Sequence, residues 1–234
     1  MVAIIIVGVL AGVAIDSLTN VDNVSRVEET RHELDQLAWA IAGNPELVSG
    51  GQRVDYGYVG DVGSLPGSLA DLVTRPGGYG TWDGPYIRDD FYSSAGGSES
   101  EYGYDAWGAN YGFTGTTVVS SGSGSNITRR VANSADDLLY NPVSLLVLNL
   151  NYMPPGPVYQ DSIRATITFP RSGGATTRSS LTAANGLVQF DSIPIGQHRV
   201  ELEYIPTVDT FVCYLAINPG SHTYLEMQLN RSSW

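Results

Sequence analysis

The first fifteen residues, MVAIIIVGVLAGVAI, carry no charged or hydrogen-bonding side chain. No other feature constrains the fold of this chain so strongly. Water does not tolerate such a segment uncovered, because burying one aliphatic side chain gains about 1.5–3 kcal/mol. A helix that crosses a bilayer needs about 18 to 25 apolar residues, so the run is slightly short by itself. Three readings compete: the apolar region of a secretory signal, a buried core helix, and a membrane or polymer-core helix whose first residues lie outside this chain. The first lacks a basic flank. An opening segment that is apolar on every side is uncommon in a soluble core, so the third reading is the expectation.

The residues after the run support that choice. Val24, Val27, Leu34, Leu37 and Ile41 recur at steps of three, seven, three and four, which is one stripe of a helix. Arg26, Glu28, Glu29, Arg31, His32, Glu33 and Asp35 fall mostly off it. No proline precedes Pro45, and Gly43-Asn44-Pro45 is a good C-terminal stop. One helix over residues 2–42 is therefore expected, about 60 Å long at 1.5 Å per residue. Gly8 and Gly12 form a GxxxG pair that permits close helix approach or local stretching. A helix of this kind needs lipid, or copies of itself, around its first half.

The charge balance narrows the partners. The chain of 234 residues has 24 acids against 12 arginines and no lysine, a formal net charge of −12. Without a basic cluster it is not expected to bind nucleic acid by neutralising phosphates. Charged residues make up 15%, against roughly 25% in ordinary domains, so this is not the dense acidic surface of a salt-adapted protein. With 42% hydrophobic residues a real core is available. The single Cys213 excludes an intrachain disulfide scaffold and multi-cysteine metal sites.

Several segments of the next hundred residues, taken with the opening run, resemble the type IV pilin superfamily, and most closely the major pseudopilin of type II secretion systems. The run Met1 to Ile15 resembles the continuation of the family's N-terminal motif; the family's Phe, recognition Glu and leader are not in this sequence. Leu65-Pro66 with Leu69, Leu72-Val73 and Pro76 resembles the "LP..L..L" segment. Trp82-Asp83-Gly84-Pro85-Tyr86-Ile87 resembles "W.GPYL". Tyr104-Asp105-Ala106-Trp107-Gly108-Ala109-Asn110-Tyr111 resembles "DPWG..Y.Y", with Ala106 where proline is usual. Val118-Val119-Ser120-Ser121-Gly122 resembles the strand ending "SxG", and Ala135-Asp136-Asp137-Leu138 the closing "DADI". The resemblance implies a long helix packed on a small antiparallel β-sheet head. It also implies a homopolymer of identical subunits, raised from the lipid bilayer by inner-membrane assembly machinery. In the family, two aspartates near that serine bind calcium. Here Thr117 and Gly122-Ser123-Gly124-Ser125 stand in their places, so loss of the calcium site is expected, since calcium wants six to eight oxygen ligands. Residues 55–105 hold nine acids against Arg75 and Arg88 and are expected to form a solvated acidic surface. Arg88 to Gly103 reads as an exposed insertion.

Beyond residue 140 the pattern changes. Leu145 to Leu150 is a strand candidate, followed by the stiff Pro154-Pro155-Gly156-Pro157. Ile163, Ala165, Ile167 and Phe169 alternate before Pro170-Arg171-Ser172-Gly173-Gly174. Leu187 to Phe190 follows Asn185-Gly186; Val200, Leu202 and Tyr204 alternate; Phe211–Ile217 and Tyr224–Leu229 flank Asn218-Pro219-Gly220. Five to seven strands at about ten-residue spacing predict a β-sandwich. Asn185 to Phe190, Ile193 to Gly196 and Arg199-Val200 resemble prealbumin-like and carboxypeptidase-regulatory-like accessory modules, which implies a fold and no ligand.

Catalytic chemistry is hard to find. His32, His198 and His222 lie in three unrelated contexts. Asp89-Asp90 and Asp136-Asp137 are adjacent, which suits surface turns better than an acid–base pair. No nucleophile elbow occurs. Asn23, Asn126 and Asn230 fit the glycosylation pattern at about the chance level for so Ser-rich a chain. No catalytic, cofactor or metal-binding residue is assigned, and no cofactor is expected. The expected organisation is an α+β chain: a stem over residues 1–23, a pilin-like head over 24–140, and a C-terminal all-β sandwich over 141–234. The expected function is a structural subunit of a type IV pilus-like filament, in the inner membrane before assembly and on the cell surface after it. The alternatives are a periplasmic pseudopilin and a membrane-tethered module that binds carbohydrate or surfaces.

Overall fold

The computed structural model describes residues 2–87 and 103–234, with side chains from Val21 onward. The sequence stretch read as an insertion lies almost wholly outside the described residues, as do Asp89, Asp90, Glu99 and Glu101. The chain is α+β, with one long N-terminal helix and a β-rich C-terminal region. Helix α1 runs unbroken over Val2–Ala42, 41 residues. It stops where the sequence stops it: Gly43 takes φ +81°, and its N–H reaches Trp39 O at 2.6 Å, the left-handed C-terminal turn that glycine favours.

After α1 come a two-residue ribbon, β1 (Val48–Ser49) with β2 (Gln52–Arg53), helix α2 (Gly57–Val62) and a 3₁₀ turn over Leu69–Leu72. Strands β3 (Gly112–Thr114), β4 (Thr117–Ser120) and β5 (Ile127–Arg130) form an antiparallel meander in that order. Helix α3 (Ala135–Leu139) closes this part, opened by a capping box between Ser134 and Asp137. Helix α1 packs against α2, β4 and β5. Leu34, Leu37 and Ile41 share a core with Tyr58, Val59, Val62, Leu72, Val118 and Leu138. Only the later part of the expected stripe is buried: Val24 is 58% exposed.

Seven strands follow: β6 (Asn141–Leu148), β7 (Ile163–Arg171), β8 (Gly174–Leu181), β9 (Leu187–Ile193), β10 (Gly196–Tyr204), β11 (Asp209–Ile217) and β12 (Thr223–Gln228). A short helix α4 (Gly156–Tyr159) lies between β6 and β7. One sheet has the order β11-β10-β7-β8, all antiparallel; the other is β12-β6-β9, with β12 parallel to β6. The two sheets share one core. Ile163, Ala165, Ile167 and Phe169 of β7 and Val200, Leu202 and Tyr204 of β10 meet Val143, Leu145 and Val147 of β6 and Val188 and Phe190 of β9. Their alternation is the period-two pattern of a half-buried strand. In β9 the period slips: Phe190 pairs with Val143 and Ile193 with Asn141. The extra residue is absorbed at Ser192, at φ +57°, a bulge that turns Ile193 back into the core. The β7–β8 hairpin turns on Ser172 and Gly173, both at positive φ, as a two-residue hairpin loop requires.

Candidate functional site: a helix anchored at one end

The feature that sets this chain apart is how α1 is held. Its C-terminus is tied down by polar as well as apolar contacts. The Arg53 guanidinium donates to Ala42 O and, at 2.8 Å, to Gly43 O. It thereby satisfies carbonyls that a helix end leaves open and places a cation at the negative end of the helix dipole. Burial lowers the pKa of Arg53, opposed by Tyr56 and Asp55. Asp55 accepts from Asn44 N at 2.7 Å and Gly57 N at 3.1 Å. A side chain at Gly43 would strike the backbone carbonyl of Asp55, so the chain leaves the helix through a gap only glycine fits.

Midway along α1, Thr30 is fully buried and its Oγ1 accepts from Ala106 N at 3.4 Å. Tyr111 donates its hydroxyl to Glu33, and burial together with that carboxylate raises the tyrosine pKa. Arg129 of β5 pairs with Asp35 at 2.8 Å, both half-exposed, a pair worth at most about 1 kcal/mol. Arg26 reaches Ala106 O at 3.4 Å. Upstream of it Val21, Asp22, Asn23, Val24 and Ser25 are all exposed.

The segment that receives α1 is organised by Asp105, which is 5% exposed. One carboxylate oxygen accepts from Trp107 N at 3.0 Å and Ala109 N at 2.9 Å; the other accepts from Ser120 Oγ at 2.6 Å and Gly122 N at 2.9 Å. Burial pushes its pKa up, but these four donors outweigh burial and the net shift is downward. A side chain at Gly122 would come within 2.5 Å of the carboxylate. The Ser-Gly element read from the sequence thus serves as a donor platform for an aspartate fifteen residues upstream.

Trp82, Tyr86 and Asp71, from two other motifs, also make structural contacts. Trp82 donates to Asp71 O at 2.9 Å and stands edge-on to Tyr86. Tyr86 donates to Asp61 at 2.9 Å and accepts from Asp83 N; burial raises the pKa of both Tyr86 and Asp61. Asp71 caps the 3₁₀ turn from Gly67 N and Ser68 N. The acids expected to form a solvated surface thus include Asp55, Asp61, Asp71 and Asp105, each committed to internal hydrogen bonds. That is a correction; for Asp55, Asp71 and Asp105 its cause is the backbone N–H groups this loop-rich stretch leaves to be satisfied, and for Asp61 it is the Tyr86 hydroxyl.

His32 is exposed beside Gln36, His222 meets Ser144 at 2.8 Å, and His198 is buried, donating to Pro194 O at 2.8 Å. Cys213 is half-buried at the core edge, where burial raises its pKa. Among the described residues no three His, Cys, Asp or Glu side chains are grouped to hold a metal. Thr117 and the Gly122–Ser125 stretch offer no carboxylate of their own. An open cleft of about 620 Å³ lies between α1 and β5, lined by Val27, Arg31, Asp35, Asn126 and Arg129 among others. Among the described residues no helix is long and apolar enough to cross a membrane.

Compared with models of known families and with curated proteins, the chain matches none. Among solved structures it is similar to one described as "Crystal Structure of S.CueP", at 14% identity and a TM-score of 0.29 over 50% of this chain and 73% of that one, a likeness too slight to carry an argument.

Proposed function

We propose that the chain is a structural subunit that polymerises through α1 into an extracellular filament of the type IV pilus class, with a pilin-like head. The observation that carries this reading is the asymmetry of α1. Residues 26–42 are bound to the head by a shared core, an arginine cap and four polar cross-links, while Val21 to Ser25 are exposed. The sequence upstream of them opens with fifteen apolar residues. A helix held at one end and apolar at the other is suited to residence in a bilayer and then to packing against equivalent helices. If assembly buried about 1,000 Å² of apolar surface per subunit, the gross gain would be about 25 kcal/mol, reduced by the cost of ordering. The contact is heterologous and open, as a filament requires.

Electron microscopy of material sheared from cells, with antibody to the sandwich, tests the proposal. Fibres carrying this chain at the surface are expected, and they should vanish on deletion of Met1 to Val13 while the soluble remainder keeps its circular dichroism spectrum. Fibres confined to the periplasm would favour the pseudopilin alternative. A deletion that leaves fibres intact would sink both.

A further inference from the structure

The four-stranded sheet of the sandwich has a free edge at β11. Strand β11 pairs with β10 along all nine residues, and among the described residues its other side receives no backbone partner. Sheet edges are normally blunted by charge, proline or a covering element. The others here are: β8 carries Arg178 mid-strand, donating to Asp191 O across to β9; β12 carries the exposed Glu226, and β9 carries the exposed Asp191. In β11, by contrast, no charge follows Asp209, and the strand reads TFVCYLAI through Ile217. Phe211 lies on the face of Leu215 and Ile217, yet is 44% exposed; Val212 and Tyr214 on the other face are 41% and 62% exposed. The outer face of this edge is thus apolar and open, and the inner face is open at Phe211, while Leu215 and Ile217 are buried in the sandwich core; its unpaired N–H and C=O groups suit the addition of an extended strand.

We infer that the occupant is β11 of a second copy, paired antiparallel about a two-fold axis near Cys213. Charge argues for it. Residues 141–234 hold six acids and five arginines, a net −1, against −9 for residues 24–140, so two copies of this acidic chain meet at the sandwich with far less repulsion than at residues 24–140. In this register Asp209 faces the partner's Ile217, Phe211 the partner's Leu215, and Val212 the partner's Tyr214. The two acids lie at opposite ends and apolar residues meet along the seam. The pair joins two four-stranded sheets into one of eight. The contact is closed, so it makes pairs and links neighbouring polymers laterally rather than extending one. It does not depend on the polymer proposed above.

The single cysteine reports on it. Opposed residues in an antiparallel pair have Cα atoms about 4.5–5.5 Å apart, within the range of a disulfide. The full chain in detergent micelles, at about 100 μM, where a micromolar contact is populated, is treated with copper–phenanthroline; two thiols then yield one disulfide, passing two electrons and two protons to the oxidant system. A covalent dimer on a non-reducing gel, with Cys213 joined to the partner's Cys213 by peptide mapping, is the expected result. The double variant Val212→Lys/Tyr214→Lys places lysines opposite one another across the seam. It should lower the cross-linked fraction tenfold or more with an unchanged circular dichroism spectrum. Absence of the wild-type cross-link, or an equal yield in the double variant, overturns the inference. Stem-driven polymer that persists in the variant leaves the filament reading standing while this one is judged by the cross-link alone.

Discussion

Asp105 concentrates more hydrogen bonding than any other described carboxylate, and its substitution is correspondingly informative. Asparagine can still accept from Trp107 N and Ala109 N through its oxygen, but its amide then faces Gly122 N–H donor to donor. Leaving a buried donor unmet costs about 1–3 kcal/mol, so Asp105→Asn should lower stability by that amount in urea titrations at pH 7. The carboxylate's pKa is depressed in the folded state, so its contribution is present above the ordinary carboxylate range, near pH 4, and is lost as pH falls through the folded value. The acid-induced loss of stability should therefore be shallower in the variant. His198 gives a second window. Burial lowers its pKa, opposed by the bond to Pro194 O, so folding favours the neutral ring. Stability is full above the unfolded value, near 6.5, and falls as pH drops from there through the folded value. Urea midpoints between pH 7 and pH 5 should fall less steeply in His198→Gln, whose amide can still donate to Pro194 O. Neither role was legible from sequence, because each is fixed by partners a fold away or by burial that no local pattern encodes. Trp82, Tyr86, Asp105, Ser120 and Gly122, all in the sequence motifs, are held in packing or hydrogen bonds.

At the scale of elements, α1 makes the sharpest contrast. Leu37 is 2% exposed and Val24 is 58% exposed, although both lie on the same sequence stripe. Leu37→Ala should cost about 2–5 kcal/mol, while Val24→Ala should stay within about 0.5 kcal/mol in denaturant unfolding of the solubilised chain. An equal cost at both positions would mean that the head grips the helix further than its described contacts reach. The extent of α1 was legible almost to the residue, since an unbroken stretch without proline, closed by Gly-Asn-Pro, leaves few alternatives. Strands β7 and β10 were legible because each alternates between a core and a solvated face. Strand β8, GATTRSSL, was not: its inward positions are Thr176, Arg178 and Ser180, with Arg178 lying over the Phe169 ring at 5.1 Å where an aliphatic residue would be expected. The parallel pairing of β12 with β6 was equally hidden, because strand direction is decided by the sheet and not by the strand's own residues. The Arg53 cap of α1 escaped for the same reason as Asp105: the residue that completes the helix lies eleven positions beyond it, across a turn.

For the molecule as a whole, the question is whether head and sandwich unfold together. The sequence changes character near residue 140, yet the contacts across that boundary are extensive. Ile195, in the connection from β9 to β10, is fully buried in the core that α1 and α2 share, and its N–H meets Leu138 O at 2.9 Å. The β7–β8 turn is threaded between head segments: Gly173 N–H donates to Val62 O at 2.8 Å, and Gly173 O accepts from Thr81 N at 3.0 Å. Gly63 sits so close to Pro170 that a side chain there would collide with its carbonyl oxygen. At the third turn, Gly220 N–H reaches Asp137 O at 2.9 Å. A junction built from one inserted side chain and several backbone bonds transmits unfolding, since opening it exposes Ile195 and strands polar backbone groups on both sides. Scanning calorimetry should therefore record one cooperative transition for the wild-type chain. Gly63→Ala combines a left-handed φ of +67° with that backbone clash and is expected to wedge the junction apart, splitting the transition in two with the sandwich component the less displaced. Ile195→Ala, which removes apolar contact without forcing separation, should lower a transition that stays single, by about 2–5 kcal/mol. Two transitions in the wild type, only one of them sensitive to Ile195, would mean that the turns touch the head without coupling to it. The sandwich would then be a passenger on the helix-bearing head.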